Sequence, residues 1–308
     1  MVWDTIWRDD DVGSPVEEWG GITYALAAAD AVRPPDLEVR PVIRLGRDLS
    51  QRGLSFLGEL TSIDTYDTLS IVDEPNPRVE LHYRGQERRC ERLHGGVSPW
   101  SWSELEARVH GCDALYVNFI TGRELDLSVA RRLRETFAGP IYADIHSLML
   151  ATGPQGERRL RPLERWADWL ECFDVVQVNE DELRTLSAHW GDPWAFAADV
   201  VGRRTRLLFV TLGAGGAVYF ITAGSSPLDG PLRRDAPVQT GKLAVEPLEG
   251  GDPTGCGDVW GVTAMCGLLA GRGVEDSMRR ANAAARRNVS HCGASGLNRY
   301  LRGELERA

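Results

Sequence analysis

The chain has 308 residues, 43% of them hydrophobic and 26% charged, and a formal net charge of -10. It is long enough to bury a sizeable core in one large α/β domain or two modest ones, and its acidity argues against a nucleic-acid partner, whose binding leans on a basic surface. Six dispersed cysteines without a C-x-x-C pair and six scattered histidines argue against disulfides and a transition-metal site; no apolar run reaches membrane-helix length, and residues 1–4 lack a leader pattern, so the expected location is cytoplasmic.

Along the chain, residues 65–93 read as extended pieces with alternating polar and apolar positions, punctuated by Pro75, Asn76, Pro77 and Gly85. Such strands cover one face and leave the other wet. From residue 105 the pattern changes. A short apolar run at 114–118 (ALYVN) predicts a buried strand, followed by a helix over 127–137, a strand at 140–144 and a helix over 163–171. A strand at 174–178 then leads into a helix over 180–189, and strands at 207–211 and 217–221 flank a glycine-rich turn. This alternation predicts a mostly parallel sheet covered by helices on both faces, with ligands at the carboxyl ends of its strands. Residues 225–237, rich in Gly, Pro and Ser, read as a surface loop. No repeat or low-complexity tract occurs, so the simplest organisation is one α/β domain over 1–308 with a small β appendage.

The stretch Gly250-Gly251-Asp252-Pro253-Thr254-Gly255-Cys256-Gly257-Asp258 runs into an apolar helix beginning near Val259. A glycine-rich turn entering a helix presents free N–H groups at the positive end of the helix dipole, a place suited to an anion. Asp258, in the first turn, is placed to take a proton from a hydroxyl while those amides steady a transferring phosphoryl group. A capped core helix would carry the same pattern, and there is no G-K-[ST] of a P-loop.

With these residues the sequence resembles the ribokinase-like (PfkB-type) carbohydrate kinase family, whose carboxyl-terminal signature has the shape D-T-T-G-A-G-D. The resemblance implies a three-layer αβα sandwich with a mostly parallel central sheet and a small β-sheet lid, formed by residues of about 8–18 and 62–97. It implies Asp258 as catalytic base, with Gly255, Cys256 and Gly257 supplying an anion hole. Asn179-Glu180-Asp181-Glu182 resembles the family's N-x-x-E element, which implies Asn179 near the nucleotide phosphates and Glu182, with Asp252, in a Mg2+ network through water or phosphate. The segment 210–216 resembles the strand-turn that holds ATP, implicating Thr211, Gly213 and Gly216. Residues 281–285 and 293–294 resemble the last helix and the turn beside the adenine, implicating Asn282 and Gly293. Asp4, Gly20 and Gly21 resemble the groups that hold substrate hydroxyls. The implied reaction is ATP-dependent phosphorylation of a small polyhydroxy substrate (sugar, nucleoside or cyclitol), with a homodimer through the lid and no nucleic-acid or membrane partner.

Three departures stand out. The family opens with a complete central strand where this chain supplies only residues 1–3; no asparagine follows Gly20-Gly21; and Cys256 replaces a small inert residue, at a helix end that favours a lowered thiol pKa. The altered amino-terminal motif leaves a kinase-fold sensor of sugars or nucleotides as the alternative. Asp144 and His146 follow a strand and face the expected cleft, and Trp3, Trp7 and Trp19 are candidates for stacking on a sugar or base. A dinucleotide-dependent oxidoreductase is disfavoured by the absence of an amino-terminal G-x-G-x-x-G.

Overall fold

From the amino end the chain forms β1 (Val2–Arg8), β2 (Val16–Gly20), α1 (Ile22–Val32), β3 (Ile43–Gly46), α2 (Ser50–Gly58), β4 (Leu69–Val72), β5 (Arg78–Arg84) and β6 (Glu87–His94). There follow α3 (Trp102–Val109), β7 (Leu115–Asn118), α4 (Leu127–Thr136), β8 (Ile141–Asp144), β9 (Leu150–Thr152), β10 (Arg158–Leu160), α5 (Trp166–Leu170), β11 (Val175–Asn179), α6 (Glu180–Leu186) and α7 (Pro193–Val200). Then come β12 (Leu207–Thr211), β13 (Ala217–Thr222), β14 (Val238–Leu243), α8 (Cys256–Leu269), α9 (Val274–Asn288) and α10 (Leu297–Arg302). This computed structural model describes residues 1–8, 14–65, 69–84, 87–246, 248 and 250–305. Residues 9–13, 66–68 and 85–86, inside the expected lid segments, lie outside the described residues.

The main sheet has the order β14-β13-β12-β11-β8-β7, parallel from β12 to β7 and antiparallel at the β13 and β14 edge. Its inner strands are apolar on both faces because both are covered. Ile141, Ala143, Val176, Val178, Leu208 and Val210 face α3 to α7, while Tyr142, Val175, Leu207 and Phe209 face α8 and α9. Each fully buried large side chain of this kind contributes roughly 1.5–3 kcal/mol. Three layers result, with the mostly parallel sheet in the middle.

A separate four-stranded sheet, β2-β1-β5-β6, lies against the carboxyl ends of the main strands. On β1, period-2 alternation turns Val2, Asp4 and Ile6 inward and leaves Trp3 and Trp7 on the other face. Arg8, in step with the inward residues, and Tyr83 of β5 tie this sheet to the loop before α8, through Arg8 to Asp252 at 2.7 Å and Thr254 to the Tyr83 hydroxyl at 3.2 Å.

Several expectations shift. Residues 69–72 join β3 in a parallel pair and not the small sheet, and Val2 already belongs to β1. The helix expected over 163–171 is confined to α5, because Arg165 takes the left-handed conformation (φ 55°). One more helix, α10, follows the one read as last. The tryptophans pack on the far side from the site: Trp3 meets Trp19 edge-on at 5.1 Å, and Trp7 stacks on His82 at 6.0 Å.

Candidate active site

The turn before α8 is held by its own backbone. Asp252 N–H donates to Val289 O, Thr254 N–H to the Asp252 carboxylate, and Cys256 N–H to Pro253 O. Gly255 is left-handed (φ 74°), and a Cβ there would come within 2.2 Å of the Tyr24 ring, so only glycine fits. The Cys256 amide is thus spent within the turn. The N–H groups of Gly255 and Gly257 have no backbone acceptor among the described residues.

Asp258 follows in the first turn of α8, half-buried, its Oδ1 accepting from Asn118 Nδ2 at 2.6 Å. Burial pushes its pKa up to about 6, against the opposing pull of that hydrogen bond and of nearby His146. Beside it, at the end of β8, Asp144 is buried; desolvation, then the charges of Glu182 and Asp258, raise it to about 7. Gln177, buried on β11, binds the two elements together. Its Nε2 donates to Asp144 Oδ2 (3.1 Å) and to Gly257 O (3.0 Å), and its Oε1 accepts from the Tyr142 hydroxyl.

Asn118, Asp144, Asn179 and Thr211 stand at the carboxyl ends of four adjacent parallel strands. Asn179 caps α6, its Oδ1 accepting from Glu182 N–H while Glu182 Oε2 accepts from Asn179 N–H. The other Glu182 oxygen takes the Asn179 side-chain amide and pairs with His146 Nδ1. Thr211 Oγ1 lies 3.5 Å from Val178 O, and Gly213 stands in the open turn after β12, with nothing near its Cβ direction.

On the small-sheet side, Asp4 is buried directly beneath Gly20, where any Cβ would strike its carboxylate, and Gly21 (φ 64°) packs on Ile120. Tyr24 lies under Gly255 in the field of Asp4, Asp252 and Asp258, and burial followed by these charges raises its pKa well above the ordinary value. Thus Asp4, Asp252 and Asp258 converge around one ring.

Other candidates are engaged elsewhere. Asn282 is buried, its oxygen accepting from Trp260 Nε1 (2.8 Å) and its amide donating to Leu243 O (3.2 Å). Gly216 packs on Leu243 O, and Gly293 on the Glu18 side chain of β2, toward the small sheet. Cys256 Sγ donates toward Ala285 O and accepts from Asn288, and burial pushes its pKa up to about 11, the reverse of the lowered value expected at a helix end. The sequence reading missed Asn118, Gln177, Tyr24 as a contact and Arg8; the only local signal for the first two is a polar residue inside an apolar run.

The acidic residues do not make a protein-held divalent-cation site. Asp252 is neutralised by Arg8, Glu182 is consumed by its cap and His146, and no group of three His, Cys, Asp or Glu able to hold a metal occurs among the described residues. The open Gly213 turn and the Gly255 and Gly257 N–H groups, without a backbone acceptor among the described residues, are neutral donors of a kind suited to an anion.

Residues 149–299 match the family described as pfkB family carbohydrate kinase. No curated protein matches the chain. Among solved structures, a pyrophosphate-dependent kinase in the ribokinase family, in complex with sulfate, superimposes with a TM-score of 0.75 at 18% identity, covering 95% of this chain and 94% of that one. Ribokinase from Thermotoga maritima gives 0.70 at 16% identity (98% and 95% covered), and a Burkholderia thailandensis nucleoside kinase in complex with inosine gives 0.71 at 16% (96% and 91%). At such identities the likeness is one of fold.

Proposed function

We propose that this ribokinase-like chain of the pfkB family is a phosphotransferase that moves a terminal phosphoryl group onto a hydroxyl of a small polyhydroxy substrate, with Asp258 as the base. The observation that carries this reading is Asp258 itself: a carboxylate at a helix N-terminus, held by Asn118, beside amides with no backbone acceptor among the described residues. Its pKa of about 6 suits a base at neutral pH, ionised yet still proton-seeking.

In this reading Asp258 accepts the proton as the substrate oxygen bonds to phosphorus and the bond to the leaving phosphate breaks. The Gly255 and Gly257 N–H groups steady the equatorial oxygens of the moving group. Asp4, turned inward from β1, accepts hydrogen bonds from the acceptor's other hydroxyls. Asp144, kept near neutrality of charge by its surroundings, donates or accepts beside it.

ATP is the expected donor. A second reading, in which the donor is held through phosphate groups alone, is favoured by one observation: Asn282 and Gly293, the residues expected beside a base, are committed to internal contacts. One structural neighbour is a pyrophosphate-dependent kinase. The test is phosphorus NMR of donor–acceptor pairs, ATP and pyrophosphate each against sugars, nucleosides and cyclitols. Phosphorylated product with either donor supports the transfer. A folded protein that binds a pair without product would favour a sensor.

A further inference from the structure

Arg158 is buried, with 1% of its side chain exposed, on a strand that belongs to neither of the two sheets that carry the site. The hairpin of β9 and β10 leaves the loop after β8 and lies against β6 of the small sheet, where Leu93 N–H donates to Gly156 O. From β10 the guanidinium reaches three separate pieces of chain. Nη1 pairs with Glu91 Oε1 of β6 at 3.0 Å and donates to Ile120 O at 3.0 Å. Nη2 donates to Thr121 O at 3.1 Å and lies 3.5 Å from Ser147 O. The small sheet, the turn after β7 and the loop after β8 thus meet at one side chain.

The turn after β7 is held from both sides. The N–H groups of Ile120, Thr121 and Gly122 all donate to the Glu124 carboxylate, while the carbonyls of Ile120 and Thr121 face Arg158. Ser147 Oγ also donates to Ile120 O, at 2.6 Å. Gly122 (φ 78°) lies so close to Ser147 that a Cβ would come within 2.3 Å of its carbonyl oxygen. This turn bears on both halves of the site. Just before it, Asn118 holds Asp258. Ile120 packs against the core of the small sheet, which includes Val2 and Ile6 on the Asp4 face of β1, and it lies directly under Gly21.

Stability alone does not call for an arginine here, because well-packed apolar side chains of similar volume are often as stable as a buried ion pair. What an apolar pair lacks is a planar fork of donors that fixes several carbonyls at once. We infer, on the basis of the transferase reading above, that Arg158 is a positioning residue for the acceptor. It sets the height of Ile120, and with it Gly21 and the Asp4 face of β1, relative to Asp258. Among the described residues, none of its hydrogen bonds goes to Asn179, Thr211 or the Gly213 turn, so its effect falls on the acceptor and not on the donor.

The test compares two variants in the full chain. Glu91→Gln keeps an acceptor for Nη1 and all the carbonyl contacts, but leaves the arginine without its counter-charge. Arg158→Met combined with Glu91→Met removes both charges and releases the carbonyls. Amide hydrogen exchange is read at residues 119–122 and 147, with β11 and β12 as internal controls. Kinetics use the acceptor identified by the phosphorus NMR panel. In the double variant those amides should exchange at least about tenfold faster with the controls unchanged. Its KM for the acceptor should rise roughly tenfold or more, with KM for the donor within about threefold of the parent. Glu91→Gln should stay close to the parent in both readouts even where its Tm is the lower of the two. Unchanged exchange in the double variant, or acceptor and donor KM that both simply follow Tm across the variants, would overturn the proposal. Should the double variant not fold, Arg158→Lys, which keeps the charge and loses the fork, is read in the same way. A parent that transfers no phosphoryl group would overturn the functional reading and the acceptor role with it, while the exchange result would still decide whether Arg158 holds the two loops.

Discussion

Asp258, Asn118 and Asp144 form one electrostatic unit, and each has a separable role. The Asn118 hydrogen bond favours the ionised form of Asp258. Asn118→Ala should therefore raise the Asp258 pKa and move the acid limb of the pH–rate profile upward, with turnover at neutral pH down roughly tenfold from lost orientation. An unchanged acid limb would remove Asn118 from this role. Asp144 works in the opposite sense. Its folded pKa, about 7, lies above the ordinary 3.8, so between those values the folded chain holds more protons than the unfolded one. Its contribution to stability is then lost as pH rises from about 4 to 7, by at most about 4 kcal/mol. Asp144→Asn should raise Tm at pH 8 by a few degrees and leave it unchanged near pH 4, as read by calorimetry at both values. The glycine-rich turn running into α8 was legible in the sequence because its glycines and aspartates form a fixed local pattern. Asn118 and Gln177 were not, because each acts across the sheet on a residue far away in the chain.

At the scale of elements, the start of α8 depends on packing as well as on glycine's freedom. Gly255 is left-handed with the Tyr24 ring beneath it, so Gly255→Ala should cost about 3 kcal/mol from strain and overlap together, read as a fall in Cm in urea at unchanged slope. A loss below about 1 kcal/mol would mean that the turn relaxes freely. The N-x-x-E of α6 was readable as both a functional element and a capping box. The structure contains the box, with Glu182 reaching on to His146. The central strands were legible because burial on both faces leaves continuous apolar runs. The pairing of residues 69–72 was not, since alternation says which face is wet and nothing about which strand lies alongside. Likewise the inward turn of Asp4, and the outward turn of Trp3 and Trp7, follow from a register fixed by β2 and β5.

Over the whole molecule, the small sheet is latched to the loop before α8 by Arg8 on Asp252 and Tyr83 on Thr254. Arg8→Met leaves Asp252 buried without its cation and should lower stability by about 3 kcal/mol at neutral pH. Equal stability of variant and parent would mean that the latch is closed by other contacts. The latch also sets the relation of Asp4 to Asp258, so the same variant should raise KM for the acceptor more than it lowers kcat. The three-layer fold was legible from the order of helices and strands, whereas the pairing of β3 with β4 as a separate two-stranded sheet was not. The measurement that bears most directly on the proposed chemistry is single-turnover phosphoryl transfer by Asp258→Asn, compared with the parent on the same donor and acceptor. The predicted result is a rate lower by about 10²–10⁴-fold, with donor binding and Tm retained. Transfer within about threefold of the parent rate, in a folded variant, would contradict the assignment of Asp258 as the base.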